Sequence, residues 1–441
     1  MIANYLFHCV FTNSFRSCTK GKRVLKKILI EGGARLFGDV HISGAKNSVL
    51  PLIAATLLTD GTSVIDDCPG LSDVDTMCRV LTHLGAQPHF EHNILSIDTS
   101  GLNSIDPPAE LLRQMRASFL IMGPMLARMG KIRLAMPGGC AIGARPIDLH
   151  LKGFEALGAT ITMGHGYVEA QADRLYGNRI YLDFPSVGAT ENLIMAAALA
   201  EGNTIIDNAA HEPEIIDLSN MLNAMGAKIK GAGTNTIRIE GVSSLQAARH
   251  TVIPDRIEAA SFLAMAAATG GELILHNVIS EHLQPLTAKL IECGASMEIG
   301  YDSIHILGNK DIDPVDIKTL PYPGFPTDAQ AQFMALLTLA RGTSVITETV
   351  FENRFMHAAE LMKMGADISI DGNSATVNGV SRLNGASVRA TDLRGGAAMV
   401  IAGQMAQGVT EITDIHHIER GYENLVGKLE AIGTRIKLVE E

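Results

Sequence analysis

The 441-residue chain has no tryptophan, and aromatic residues make up only 5% of it. That argues against an aromatic-rich all-β protein. Its six cysteines, at 9, 18, 68, 78, 140 and 293, form no C-x-x-C pair and no compact cluster. A disulfide framework is therefore excluded, and the chain reads as reduced and cytoplasmic. No apolar run approaches the roughly 18 residues that a membrane helix needs. The first apolar stretch, NYLFHCVF, is interrupted by His8, and its basic residues follow it instead of preceding it, so it is not a signal peptide. Acids are missing from residues 1–27, which carry six bases. The remainder holds 30 basic and 47 acidic side chains, a charge of −17. So acidic a body excludes general nucleic-acid binding, which depends on neutralising phosphates.

What is present is a globular composition, 46% hydrophobic and 19% charged, with 43 glycines. It excludes disorder as the dominant state. The glycines are periodic. One set closes an amphipathic stretch (HLGAQ, ALGAT, AMGAK, ECGAS, KMGAD, AIGTR) at Gly85, Gly158, Gly226, Gly294, Gly365 and Gly433. A second set closes a small-residue stretch and opens a β-branched one, at Gly61, Gly130, Gly202, Gly271, Gly342 and Gly408. Both sets recur about every 70 residues and define six units. Each unit reads as β-α-β-α-β-β in cyclic order. Its first helix is apolar nearly all round and should be buried; its second is amphipathic and should end at a left-handed glycine cap.

Charges gather where the buried helices begin: Lys46, Arg116, Asp255 with Arg256, Asp328, and Asp392 with Arg394. An aspartate at a helix start is a simple cap. A lysine or arginine there opposes the helix dipole and needs another reason. Arg145, Arg354 and Arg420 lie 13, 11 and 13 residues before the marker glycine of their units, nearly equivalent places. With Lys46 and Arg116 they make a multi-point grip suited to a small polyanion.

At these residues the chain resembles the UDP-N-acetylglucosamine enolpyruvyl transferase family. The matching segments are SGAKNSVLPL, QMRASF, PGGCAIGARPIDLH, FPSVGATEN, PGFPTDAQAQF, FENRF and DLRGGAA, in order over about residues 28–441. The resemblance implies an inside-out α/β barrel, two similar domains of three repeats each, with buried helices surrounded by sheets. The expected domains are 46–250, which carries the Cys140 loop, and 25–45 with 251–441, which carries Asp328. Residues 1–24 depart from the family pattern and read as a disordered leader, with translation starting at Leu25.

The resemblance also implies the reaction. The enolpyruvyl group of phosphoenolpyruvate moves to the 3′-hydroxyl of UDP-N-acetylglucosamine by addition and elimination, with release of phosphate. Neither a metal nor an organic cofactor takes part. The product serves bacterial peptidoglycan synthesis, and fosfomycin traps the family's cysteine. Cys140 is the implied acid toward phosphoenolpyruvate C3, in a glycine-rich loop, and Asp328 takes the hydroxyl proton. Lys46, Asn47, Arg145 and Arg420 correspond to phosphoenolpyruvate contacts. Arg116, Arg145, Pro146, Ile147, Asp148, Leu149, Asp328 and Val350 correspond to nucleotide-sugar contacts. Ser186, Val187 and Gly188 correspond to a uridine-diphosphate loop, and Arg354 and Arg394 complete the anion grip.

Plainer readings apply elsewhere. Cys68, Cys78 and Cys293 read as small buried hydrophobes. His150, His416 and His417 lack ligand spacing and read as packing or hydrogen-bonding groups. Glu212 and Glu214 read as residues that cap or line a loop. Taken without its neighbours, Asp328 reads as a helix cap; PGFPTDAQAQF makes it a site residue. The competing functions are the shikimate-pathway enolpyruvyl transferase, whose family lacks this cysteine loop, and a regulatory paralogue that binds UDP-sugar without turnover.

Overall fold

The computed structural model describes residues 26–136 and 147–440. Six small sheets surround two clusters of buried helices, the inside-out α/β arrangement. The third unit displays the repeat in full: strand Arg179–Tyr181, helix Val187–Ala197, strand Asn203–Asp207, helix Pro213–Ala224, then strands Lys228–Lys230 and Thr236–Glu240. Five of the described sheets have four strands; the second unit's has three.

Local chemistry explains the elements. In Thr62–Asp66 and Asn203–Asp207, buried and solvent-facing residues alternate, as one covered face requires. The first helices are buried from end to end: every residue of Gln330–Leu337, and Ile257 to Ala267 within Arg256–Thr269. Small residues let these helices approach closely. A Cβ on Gly396, in the Leu393–Met405 helix, would stand 2.5 Å from the Ile418 side chain. All six glycines of the first marker set have φ between +94° and +104°, the left-handed caps expected. The second set is less uniform. In the fourth unit the left-handed residue is Gly270, one place before the marker glycine Gly271, and Gly342 is not left-handed.

Two hydrophobic cores form. One draws on Ala45 to Val252; the other on Ile28 to Ile42 together with Ala259 to Ile436. Strand Lys26–Glu31 lies between Val409–Thr413 and Arg435–Glu440, completing the last unit's sheet. The chain passes between the cores twice, and the first and fourth units exchange strands there. Phe37–His41 pairs in parallel with Glu272–His276, and Arg249–Thr251 with Thr62–Asp66. The two crossings are bonded together, Ala45 N to Ile253 O at 2.7 Å and Asp255 N to Ser43 O at 2.8 Å. No helix among the described residues is long and apolar enough to cross a membrane.

Candidate active site

The crossings bring the starts of several buried helices to the seam between the cores. Lys46 opens helix Lys46–Ala55, and its backbone N–H donates to Asp255 Oδ2 at 3.1 Å. Asp255 and Asp392 are caps: their carboxylates accept from Ile257 and Glu258, and from Arg394 and Gly395. Asp328 is not. It sits in the 3-10 turn Thr327–Ala329, and neither that turn nor the following helix takes a side-chain cap. Its carboxylate is turned sideways, into a cationic cluster. Arg354 Nη2 donates to Oδ1 at 2.8 Å; Arg394 Nη2 and Nε donate to Oδ2 at 3.1 and 3.3 Å; Asn47 Nδ2 donates to Oδ2 at 3.4 Å. Both guanidinium groups are buried. Arg394, a cation at a helix start, thus has its reason, a carboxylate from another unit.

A second carboxylate organises the other cations. Asp73, near the start of helix Ser72–Leu84, is 3% exposed. It lies 3.0 Å from Lys46 Nζ and accepts from Arg420 Nε and Nη2 at 2.9 and 3.2 Å. Burial alone would raise the Asp73 pKa, but Lys46 and Arg420 outweigh it and hold the carboxyl below its ordinary range. Burial lowers the pKa of Lys46, and the nearby Arg420 and Arg394 add to this. The sequence does not mark Asp73 as a site residue. Its only signal there was an acid in the first turn of an amphipathic helix, which is ordinary.

Arg354 and Arg420, equivalent within their repeats, therefore pair with different carboxylates. Arg256 continues the seam: its Nε donates to Glu214 Oε1 at 3.0 Å, and Glu212 Oε1 faces Tyr322 N at 3.4 Å. Val350 N donates to the buried Glu348 at 2.8 Å, which also takes the hydroxyls of Thr319 and Thr327 at 2.8 Å. Glu348 so ties Val350 to the turn that carries Asp328.

A distinct group gathers at the third unit. Ser186 caps Val187–Ala197, its hydroxyl accepting from Ala189 N at 3.4 Å. Val187 and Gly188 form the helix start. Ile147, Asp148 and Leu149 begin the neighbouring helix Asp148–Ala156, which packs against Val187–Ala197. Arg116 opens the 3-10 turn Arg116–Ile121, close enough for its charge to depress the His150 imidazole. Cys140, Arg145 and Pro146 lie outside the described residues.

Comparison with known proteins agrees with this architecture. The family model described as EPSP synthase (3-phosphoshikimate 1-carboxyvinyltransferase) matches residues 30–429. UDP-N-acetylglucosamine 1-carboxyvinyltransferase 2 of Carboxydothermus hydrogenoformans is 59% identical over 419 residues, 95% of this chain and 100% of that protein. UDP-N-acetylglucosamine 1-carboxyvinyltransferase 1 of Caldanaerobacter subterraneus is 58% identical over 410 residues, 93% of this chain and 99% of that protein. Among solved structures, the enolpyruvyl transferase NikO from Streptomyces tendae superimposes with a TM-score of 0.86 at 25% identity, covering 95% of this chain and 100% of that one. The fold, the cation-lined seam and these relatives converge: the chain belongs to the enolpyruvyl (1-carboxyvinyl) transferase family.

Proposed function

We propose that this enzyme transfers the enolpyruvyl group of phosphoenolpyruvate to the 3′-hydroxyl of UDP-N-acetylglucosamine and releases phosphate. The observation that carries the reading is the seam, where Lys46, Arg420, Arg354 and Arg394 converge around two carboxylates in a chain 59% identical to such a transferase. A substrate bearing both a phosphate and a carboxylate calls for several cations, and arginine forks suit both groups.

In the addition step Cys140 gives a proton to C3 of phosphoenolpyruvate. The 3′-oxygen attacks C2 as Asp328 takes the hydroxyl proton, giving a tetrahedral intermediate that still carries phosphate. In the elimination step the Cys140 thiolate takes back a proton from C3, the C2–C3 double bond re-forms, and phosphate leaves with the electrons of its C–O bond. Lys46, Arg420 and Arg145 neutralise the phosphate; Arg354 and Arg394 orient the Asp328 carboxylate. Arg116, Pro146, Ile147, Asp148, Leu149, Ser186, Val187, Gly188 and Val350 hold the nucleotide sugar.

We assign two domains, 46–250 and 25–45 with 251–441, supported by the two separate cores. We place the work in the cytoplasm. Two phosphorylated substrates and the free, buried thiols of Cys68, Cys78 and Cys293 support that. The test is phosphate release from phosphoenolpyruvate with UDP-N-acetylglucosamine, and separately with shikimate 3-phosphate, as acceptor. Release only with the nucleotide sugar is expected; none with it overturns the reading.

A further inference from the structure

His150 follows Leu149 in the PGGCAIGARPIDLH segment, and the reaction as derived does not use it. Its ring orientation and its proton position are both determined by one neighbour, Asn192, which is fully buried in the Val187–Ala197 helix. The Asn192 Oδ1 accepts from Gly123 N at 2.7 Å, and its Nδ2 donates to Phe119 O at 3.0 Å. Turning the amide over would set donor against donor and oxygen against oxygen, so its orientation is determined. The amide nitrogen has a second hydrogen, and His150 Nδ1 lies 3.0 Å from it. Nδ1 must offer a lone pair there. The proton of the neutral imidazole is therefore on Nε2.

The other end of the ring faces the helix start. A Cβ built on Gly188 would stand 3.4 Å from His150 Cε1 and 3.6 Å from Nε2. Phe119 meets the imidazole edge-on, with centroids 5.1 Å apart and planes at 89°. Among the described residues Nε2 has no acceptor. Burial, followed by the charge of Arg116, lowers the imidazole pKa to about 3. The ring thus stays neutral through the physiological range, which leaves Nδ1 free to accept from Asn192 and the single N–H on Nε2.

We propose that His150 is a positioning residue for the nucleotide, donating its Nε2–H to a diphosphate oxygen at the start of the Val187–Ala197 helix. The inference rests on the nucleotide-sugar reading given above. Helix-start N–H groups attract anions by themselves. His150 adds a directed donor beside them, and Asn192 prevents the tautomer that would present a lone pair to the phosphate.

The experiment titrates the full chain calorimetrically with UDP, and with uridine as the phosphate-free probe. It compares the unaltered enzyme with His150→Phe and His150→Gln. The phenylalanine variant should bind UDP about tenfold more weakly, the loss of one hydrogen bond to an anion. The glutamine variant, which keeps a donor, should stay within about threefold. Uridine binding should be the same in all three. In turnover, the KM for the nucleotide sugar should rise with His150→Phe while that for phosphoenolpyruvate does not. Equal UDP binding by His150→Phe overturns this inference alone. Failure of the unaltered chain to bind UDP overturns the nucleotide-sugar reading and this inference with it. If His150→Phe does not fold, nitrogen-15 spectra of the unaltered enzyme decide, with His150 assigned by its absence from the glutamine variant. A protonated Nε2, a pyridine-type Nδ1 and no titration between pH 5 and 8 are expected; an imidazole that titrates there overturns the proposal.

Discussion

Asp73 and Arg420, 347 residues apart in the chain, close a two-point ion pair across the seam, with Nε and Nη2 at 2.9 and 3.2 Å from the carboxylate. The same carboxylate holds Lys46 at 3.0 Å. One acid thus keeps in place two of the cations proposed above to neutralise the phosphate of phosphoenolpyruvate. Asp73→Asn keeps an acceptor but removes the charge. Lys46, whose pKa burial already lowers, would then face Arg420 with no counter-ion. We expect kcat/KM for phosphoenolpyruvate to fall about tenfold or more, with KM for the nucleotide sugar little changed and partial recovery in Asp73→Glu. Steady-state kinetics at varied phosphoenolpyruvate checks this, and an unchanged kcat/KM would sink it.

Asp328 is oriented by Arg354, Arg394 and Asn47 instead of capping its helix. Its replacement should remove a proton acceptor without removing a binding cation. Asp328→Asn is expected to lower kcat by roughly 10²–10⁴-fold, the usual worth of a positioned base. Direct titration should show both substrates still binding. A kcat within threefold of the unaltered enzyme would refute the role.

The cysteines should differ sharply in reactivity. Burial pushes the thiols of Cys78 and Cys293 up to about 12, and that of Cys68 up as well. Such thiols carry almost no thiolate at neutral pH. Fosfomycin, an electrophilic phosphonate epoxide, should therefore leave these three unmodified and add one adduct, at Cys140. Peptide mapping by mass spectrometry reads this out. Cys140→Ser should nearly abolish turnover and Cys293→Ser should not; equal effects would count against the assignment.

Glu191 is buried in the Val187–Ala197 helix, and burial, then Glu214 and Glu212, raise its pKa well above the ordinary 4.5. Between 4.5 and that raised value the folded chain holds a proton that the unfolded chain has lost. Stability contributed at this position therefore falls as pH rises through that interval. Glu191→Gln should raise the thermal midpoint at pH 8, by about 2–4 °C for each kcal/mol recovered, and leave it unchanged near pH 4. Calorimetry at both values tests this. An equal shift at both would show that packing, not proton linkage, is responsible.

Much of this protein was decided within short stretches of sequence. The six cap glycines, the alternating strands and the uniformly apolar helices each depend on a few adjacent residues, whose turn chemistry and periodicity act locally. That is why the six-unit order could be read directly, and why Lys46, Arg354, Arg394 and Arg420 stood out: a cation at an apolar helix start, or repeated at one place in the unit, is conspicuous without any tertiary contact.

The path of the chain decided the rest. Asp73 looks like any first-turn acid until the fold sets it between Lys46 and Arg420. Asp328 taken without its neighbours reads as a cap, and only the fold shows Arg354 and Arg394 drawing its carboxylate sideways, while Asp255 and Asp392, also at helix starts, do cap their helices. The strand exchange between the first and fourth units, and the insertion of Lys26–Glu31 into the last sheet, join residues hundreds of positions apart. Charge pairing and hydrogen-bond partnership depend on distance in space, and burial makes that distance count, because a buried charge must find its partner wherever the fold has put one.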